Sequence, residues 1–345
     1  MSLPTTYRAA VLETIGSPFV IKDLPLKLPS PGEILVKVIA TGVCAGDHEV
    51  QHAHFPIPLP LVLGHETIGT VAAIPQGEDH FTLGQRVGAP WHGGHCGFCR
   101  QCRHGVFQMC TTEAVNGVSR DGGFAEYVLL RREAVVHVPE ALDPVKYCPV
   151  LCAGVTVFNG LRKMQIGPGS LVAVQGIGGL GHLAIQYAAK MGYQVAVLSR
   201  GPEKEAFARQ LGASHYIDTH KSESGGVVEL QELGGAALIL TTAPSGSVIA
   251  PLLGGLMHGG KLLILGAAGE VTFNTLPMLF KGLSVHGWPS GHSIDSEEAL
   301  EFCENHGVDC MVESYPLEEI NQAMEDMTLG KPRFRAVLKI SETSI

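Results

Sequence analysis

The 345-residue sequence is poor in aromatic side chains, only two of which are tryptophan, and charged residues make up 17% of it. It has no basic run, and 24 Lys and Arg face 33 Asp and Glu for a formal net charge of −9. That balance removes the electrostatic footprint expected of a nucleic-acid partner. Nowhere do about 18 apolar residues follow one another without Pro, Gly or a polar break, so no transmembrane helix is expected. The most apolar region, near Ala236 to Leu256, is interrupted at Pro244, Ser245 and Pro251. Met1 to Ile15 has neither a basic segment followed by an apolar one nor a small-residue cleavage pattern. A secretory signal is therefore not expected, and the cytosol is the expected location. Low-complexity tracts are absent and 45% of residues are hydrophobic, which excludes intrinsic disorder and collagen-like architecture.

The length is that of two ordinary domains. Up to about residue 150 the chain reads as short extended runs set off by Gly and Pro: Ile34–Val38, Ile68–Ala73 and Glu126–Leu130. From Leu171 the pattern alternates strand, Gly turn and helix, which predicts a parallel sheet with helices on both faces. The strands are expected at Leu171–Val174, Val195–Leu198, Leu238–Thr241, Lys261–Leu265 and Leu283–Gly287. Helices are expected through Leu183 to Met191, near Ser247–Met257, at Ser296–Asn305 and near Leu317–Met327, before a closing strand at Arg335–Ile340. The 43 glycines, about 12% against a usual value near 7%, imply many tight turns or close backbone approaches.

Nine cysteines, an odd number in a long chain, point to metal binding before disulfides. Cys96, Cys99, Cys102 and Cys110 are spaced C-x2-C-x2-C-x7-C. Four thiolates in one loop can close a tetrahedral zinc site with no position left for water, and glycines at 93, 94, 97 and 105 let the backbone wrap the ion. Such a site is structural. An iron–sulfur centre shares the S4 geometry, and unrelated buried thiols would give the same spacing.

Gly176-Ile177-Gly178-Gly179-Leu180-Gly181 follows a predicted strand and opens a predicted helix, the context in which G-x-G-x-x-G reads as a dinucleotide fingerprint. Gly176 makes the turn, Gly178 admits the pyrophosphate to the helix N-terminus, and Gly181 allows close helix–strand packing. Otherwise the segment is a glycine-rich turn without a ligand. The second strand normally ends in a carboxylate that holds the ribose 2′-hydroxyl. Here it ends in Ser199 and Arg200, with Lys204 beyond, a set suited to a 2′-phosphate, so NADPH is expected over NADH. A solvated loop arginine is the plain alternative for Arg200.

Taken in order, Gly42-Val43-Cys44-Ala45-Gly46-Asp47, Gly64-His65-Glu66, the four-cysteine loop, Leu151-Cys152-Ala153-Gly154 and Gly176–Gly181 resemble the zinc-dependent medium-chain alcohol dehydrogenases over nearly the whole chain. The Leu151–Gly154 segment and the tail Gly287–His292 followed by Glu297 to His306 look most like the cinnamyl-alcohol-dehydrogenase-like and yeast-type branches. The resemblance implies an α/β protein of two nested parts: a β-rich GroES-like catalytic domain of residues 1–153 and 290–345, and a doubly wound Rossmann domain of residues 154–289. It implies a catalytic zinc on Cys44, His65 and Cys152, with a fourth position open. It makes Glu66 a carboxylate able to enter the coordination shell, Asp47 the carboxylate that orients the His65 imidazole, and Trp91 part of the substrate pocket. It also implies a homodimer or homotetramer acting on a small molecule.

One position departs from the family. The second residue after the first zinc cysteine is usually Ser or Thr, whose hydroxyl starts a proton relay; here it is Gly46, and the usual relay histidine position holds Glu49. Protonation of the product oxygen then falls to water, or to His48 or Glu49 from the same loop. The expected reaction is reversible hydride transfer between NADPH and an aldehyde or ketone. Gly46 also motivates an alternative, reduction of an iminium carbon or an activated C=C bond. A third reading is a nucleotide-binding protein without turnover.

Overall fold

The computed structural model describes residues 3–53, 56–243 and 245–342. The chain divides into two compact units, Met1–Val155 together with Gly291–Ile345, and Thr156–Ser290.

The first unit is built on a seven-stranded sheet that joins both chain ends. Its long strand, Glu33–Val43, pairs antiparallel with Thr67–Ala73, Tyr127–Arg131 and Arg335–Lys339. The last of these brings Ala336 opposite Val43, so residues near the C-terminus lie beside the segment that leads into Cys44. A three-stranded sheet, Val20–Pro25, Thr6–Leu12 and Leu61–Val62, stands apart from it. Buried Leu12, Leu63, Phe124, Ile320 and Leu338 form one core, and Ile34, Val36, Val87 and Leu130 another. Alternating inward residues of the strands fill both, as half-buried antiparallel strands require.

In the second unit six parallel strands run in the order His215–Asp218, Gln194–Ser199, Leu171–Gln175, Ala236–Thr241, Leu256–Ile264, Ser284–Gly287. Numbered along the chain this is 3-2-1-4-5-6, the doubly wound order of dinucleotide-binding sheets. The central strands are buried nearly throughout, which is why they read as continuous apolar runs.

The helix expected near Ser247–Met257 is shorter. An α-helix covers Gly246–Ile249 and a 3-10 segment covers Ala250–Gly255, and Leu256 already begins a strand. Pro251 and the pair Gly254-Gly255 explain the break, since neither residue type sustains an α-helix. The strand His215–Asp218, only four residues long and half polar, had no periodic signal. Among the described residues no helix is long and apolar enough to cross a membrane.

Candidate active site

Cys44 ends the long strand and caps the short helix Ala45–Gln51, accepting a bond from the Gly46 amide at 3.4 Å. Asp47, three residues on and fully buried, closes the cap by accepting from the Cys44 amide at 2.9 Å. Its other oxygen accepts from the Gly64 amide at 3.2 Å and lies 3.1 Å from Nδ1 of His65. One carboxylate thus ties together the two segments that carry Cys44 and His65. Cys152 follows the 3-10 turn Cys148–Leu151, and its sulfur lies 4.0 Å from that of Cys44.

Ligand atoms of Cys44, His65, Glu66 and Cys152 all fall within 4.8 Å of one another. Nε2 of His65 and Oε2 of Glu66 are buried without hydrogen-bond partners among the described residues. A tetrahedron with metal–sulfur arms of about 2.3 Å has edges of about 3.8 Å, close to the Cys44–Cys152 separation. Two thiols, an imidazole nitrogen and a carboxylate oxygen, converging with unfilled lone pairs in a dry interior, fit a zinc ion.

These buried groups perturb one another strongly. The Cys152 thiol, aided by Arg335 and His65, holds Cys44 well below the usual thiol range against burial, while Cys44 and burial push Cys152 well above it. Burial opposes a charge on His65, but the Asp47 carboxylate and the Cys44 sulfur outweigh it and raise the imidazole well above its ordinary value. Burial pushes Glu66 up to about 8 although Arg335 favours its charge.

Arg335 had not been singled out in the sequence. It lies on the closing strand, 5% exposed, and ion-pairs with Glu66 Oε1, which leaves Oε2 toward the other donors. Room for that carboxylate comes from Gly42, where a Cβ would overlap Oε2. The sequence signal was an arginine in a buried apolar strand, sharing a face with Val337.

Gly46 faces the same space. A Cβ there would lie 3.2 Å from Cε1 of His65 and 3.4 Å from Cζ3 of Trp91. The Trp91 ring meets His65 edge-on, with centroids 4.7 Å apart. Asn116, also unanticipated, fixes Trp91 by donating from its amide to the Trp91 carbonyl at 3.1 Å and from Nδ2 to the Pro90 carbonyl at 2.8 Å. His48 is not gathered into this group. Two residues along a helix turn it about 200° from Gly46. Its ring lies tilted against that of His52, with centroids 4.4 Å apart, and it lines a separate cavity of about 350 Å³ with Gln51, Asn321 and Met324. Glu49 is exposed.

The four loop cysteines also converge within 4.8 Å, with sulfur separations of 3.5 Å for Cys99–Cys102 and 4.0 Å for Cys96–Cys102 and Cys99–Cys110. Amides of Phe98 and Cys99 donate to the Cys96 sulfur, and those of Cys96 and Thr112 to Cys110. Backbone donors hold Cys96 below the usual thiol range and Cys99 at about 6, whereas burial pushes Cys102 up to about 12. Four sulfurs with this spacing and no fifth donor in the group fit a closed zinc site.

In the second unit the fingerprint joins the strand Leu171–Gln175 to the helix Gly181–Lys190. Gly176 has φ +90°, open space surrounds a Cβ built at Gly178, and a Cβ at Gly181 would overlap the Gly176 carbonyl oxygen. These are the turn, the open approach and the close packing that a bound pyrophosphate requires. Ile177, Gly179 and Leu180 complete the turn, and all three are half-buried. Ser199 is buried at the end of its strand, Arg200 is exposed and Lys204 half-buried.

Two family models match the chain: the alcohol dehydrogenase GroES-like domain over residues 30–140 and the zinc-binding dehydrogenase family over residues 179–305. Alcohol dehydrogenase notN of Aspergillus sp. strain MF297-2 is 52% identical, the match covering 98% of this chain and 99% of that one. Alcohol dehydrogenase patD of Penicillium expansum is also 52% identical, over 97% and 98%. Among solved structures, a cinnamyl alcohol dehydrogenase from Sorghum bicolor superposes with a TM-score of 0.88 at 26% identity, covering 98% of this chain and all of that one.

Proposed function

The chain belongs to the zinc-type medium-chain alcohol dehydrogenases, enzymes of NAD(P)-dependent alcohol and carbonyl oxidoreduction, and we propose that it reduces an aldehyde or ketone reversibly with NADPH. The observation that carries this reading is the convergence of Cys44, His65, Glu66 and Cys152 beside Gly46 and Trp91. A zinc ion held there would polarise the substrate oxygen as a Lewis acid, and the nicotinamide would supply the hydride.

Each residue has a part in that chemistry. Cys44, His65 and Cys152 would bind the ion, and Asp47, its Oδ1 3.1 Å from Nδ1, keeps the imidazole turned toward it. Glu66, anchored through Oε1 by Arg335, keeps Oε2 unpartnered among the donors, where it would be available to the ion as a further ligand. Trp91 forms one wall of the substrate space. Gly46, beside Trp91, offers no side-chain donor, and with His48 turned toward His52, water is the group that carries the proton to and from the substrate oxygen. Cys96, Cys99, Cys102 and Cys110 hold a second, purely structural zinc.

Gly176 to Gly181 hold the pyrophosphate at the helix N-terminus, and Ser199, Arg200 and Lys204 meet the 2′-phosphate of NADPH. Family membership also leads us to expect a homodimer or homotetramer.

Gly46 supports a second reading, hydride addition to an iminium or activated C=C carbon, for which no hydroxyl relay is needed. Cys152→Ser separates binding from chemistry. The variant should still bind NADPH, lose about one zinc per chain and lose hydride transfer to aldehydes. Full aldehyde reduction by this variant would refute the zinc assignment.

A further inference from the structure

The turn that follows the strand Gln194–Ser199 is held by its neighbour, His215–Asp218. Parallel register sets Ser199 opposite Asp218, and the Thr219 amide donates to the Ser199 carbonyl at 2.9 Å. Beyond Ser199 the chain turns through Arg200 and Gly201. Oδ1 of Asp218 accepts from the Gly201 amide at 2.9 Å and from the His220 amide at 3.0 Å. The Tyr216 hydroxyl donates to the Gly201 carbonyl. Two side chains of one strand therefore clamp both ends of the Gly201 residue.

The charge at this turn is mixed. The Glu203 carboxylate folds back so closely that a Cβ on Gly201 would overlap it. Asp218 and Glu203 thus press two carboxylates on the turn that carries Arg200 and Lys204. The Gly201 and His220 amides hold the Asp218 carboxyl below its ordinary range, so it is ionised at neutral pH. Its Oδ2 is buried and has no hydrogen-bond partner among the described residues. That oxygen is closed off from solvent, so Asp218 acts on a bound nucleotide through its charge and through the turn that it clamps.

We propose that Asp218 is a specificity-determining residue of the nucleotide site, its charge, with that of Glu203, opposing the 2′-phosphate of NADPH. This rests on the reading that the dinucleotide lies along Gly176–Gly181 and Ser199. Arg200 and Lys204 pull toward NADPH, Asp218 and Glu203 push toward NADH, and the enzyme separates the two cofactors only narrowly.

The test is the dissociation constant of each reduced cofactor for the zinc-loaded protein, read from nicotinamide fluorescence. Asp218→Asn retains an oxygen to accept both amide bonds and removes only the charge. It should tighten NADPH about tenfold, the equivalent of one charge-assisted interaction, and leave NADH nearly unchanged. Glu203→Gln should shift NADPH the same way by less. Asp218→Ala, which also removes the clamp, should weaken both cofactors. A gain confined to NADPH is not produced by a merely structural role. Equal constants in wild type and Asp218→Asn, or parallel shifts for both cofactors, would overturn the assignment. Wild-type protein that binds NADH alone would refute the NADPH preference yet leave the Asp218→Asn gain in NADPH binding expected. Wild-type protein that binds neither would overturn both.

Discussion

Asp47 and His65 face each other in a dry interior, with carboxylate Oδ1 3.1 Å from imidazole Nδ1. The same carboxylate binds the backbone at Cys44 and Gly64, so it sets both the tautomer of the imidazole and the spacing of two ligand segments. Asp47→Asn keeps the acceptor for one amide but weakens the pull on Nδ1. Zinc affinity at the Cys44 site is expected to fall about 10- to 100-fold, as for other partners of ligating histidines. Metal competition with a chromogenic chelator measures this, and an unchanged affinity would remove Asp47 from the role.

The two donor sets should be separable by metal content. Wild-type protein is expected to hold about two zinc ions per chain. Cys110→Ser should lose one of them, with a lower melting temperature because that loop folds around the ion. Elemental analysis with a parallel thermal melt checks both parts. An iron signal would instead assign the loop to an iron–sulfur centre.

Arg335 and Glu66 form a buried ion pair between strand segments 269 residues apart. Arg335→Met strands the Glu66 carboxylate without its partner. A loss of about 3 to 5 kcal/mol in unfolding free energy is expected, and Glu66→Gln in the same background should recover part of it. Denaturant titration of the single and double variants measures the coupling. Additive effects would mean that the pair is not energetically linked.

The alkaline limit of stability carries a tyrosine signature. Burial, helped by Asp121, pushes the Tyr7 phenol up to about 12 from an ordinary value of about 10. The folded chain therefore keeps this proton at pH values where the unfolded chain releases it. Its contribution is fully present below about pH 10 and is lost as pH rises toward 12. Tyr315 is shifted similarly, so Tyr7→Phe should flatten only part of the decline. Melting temperatures between pH 9 and 12 test this, and identical slopes for variant and wild type would contradict it.

What the sequence disclosed follows from how far apart the cooperating residues lie. The cysteine loop and Gly176–Gly181 are local, so spacing carries their chemistry. The parallel strands were readable because burial on both faces makes them apolar runs. Cys44, His65 and Cys152 are more than a hundred residues apart at their extremes, and only a whole-chain resemblance linked them. Arg335, Asn116 and Asp218 act across strand pairings that no local pattern encodes. Asp218 in particular sits on a four-residue strand with no alternation to mark it. The helix expected through Met257 failed because Pro251 and Gly254-Gly255 outweigh the apolar periodicity.

Cinnamaldehyde offers a carbonyl and a conjugated C=C bond together, so it shows directly whether hydride reaches a zinc-polarised carbonyl carbon. NADPH deuterated at the transferred position should be oxidised, and NMR should find the deuterium on C1 of cinnamyl alcohol. Deuterium on C3 of the saturated aldehyde would contradict carbonyl reduction and assign the enzyme to conjugate reduction.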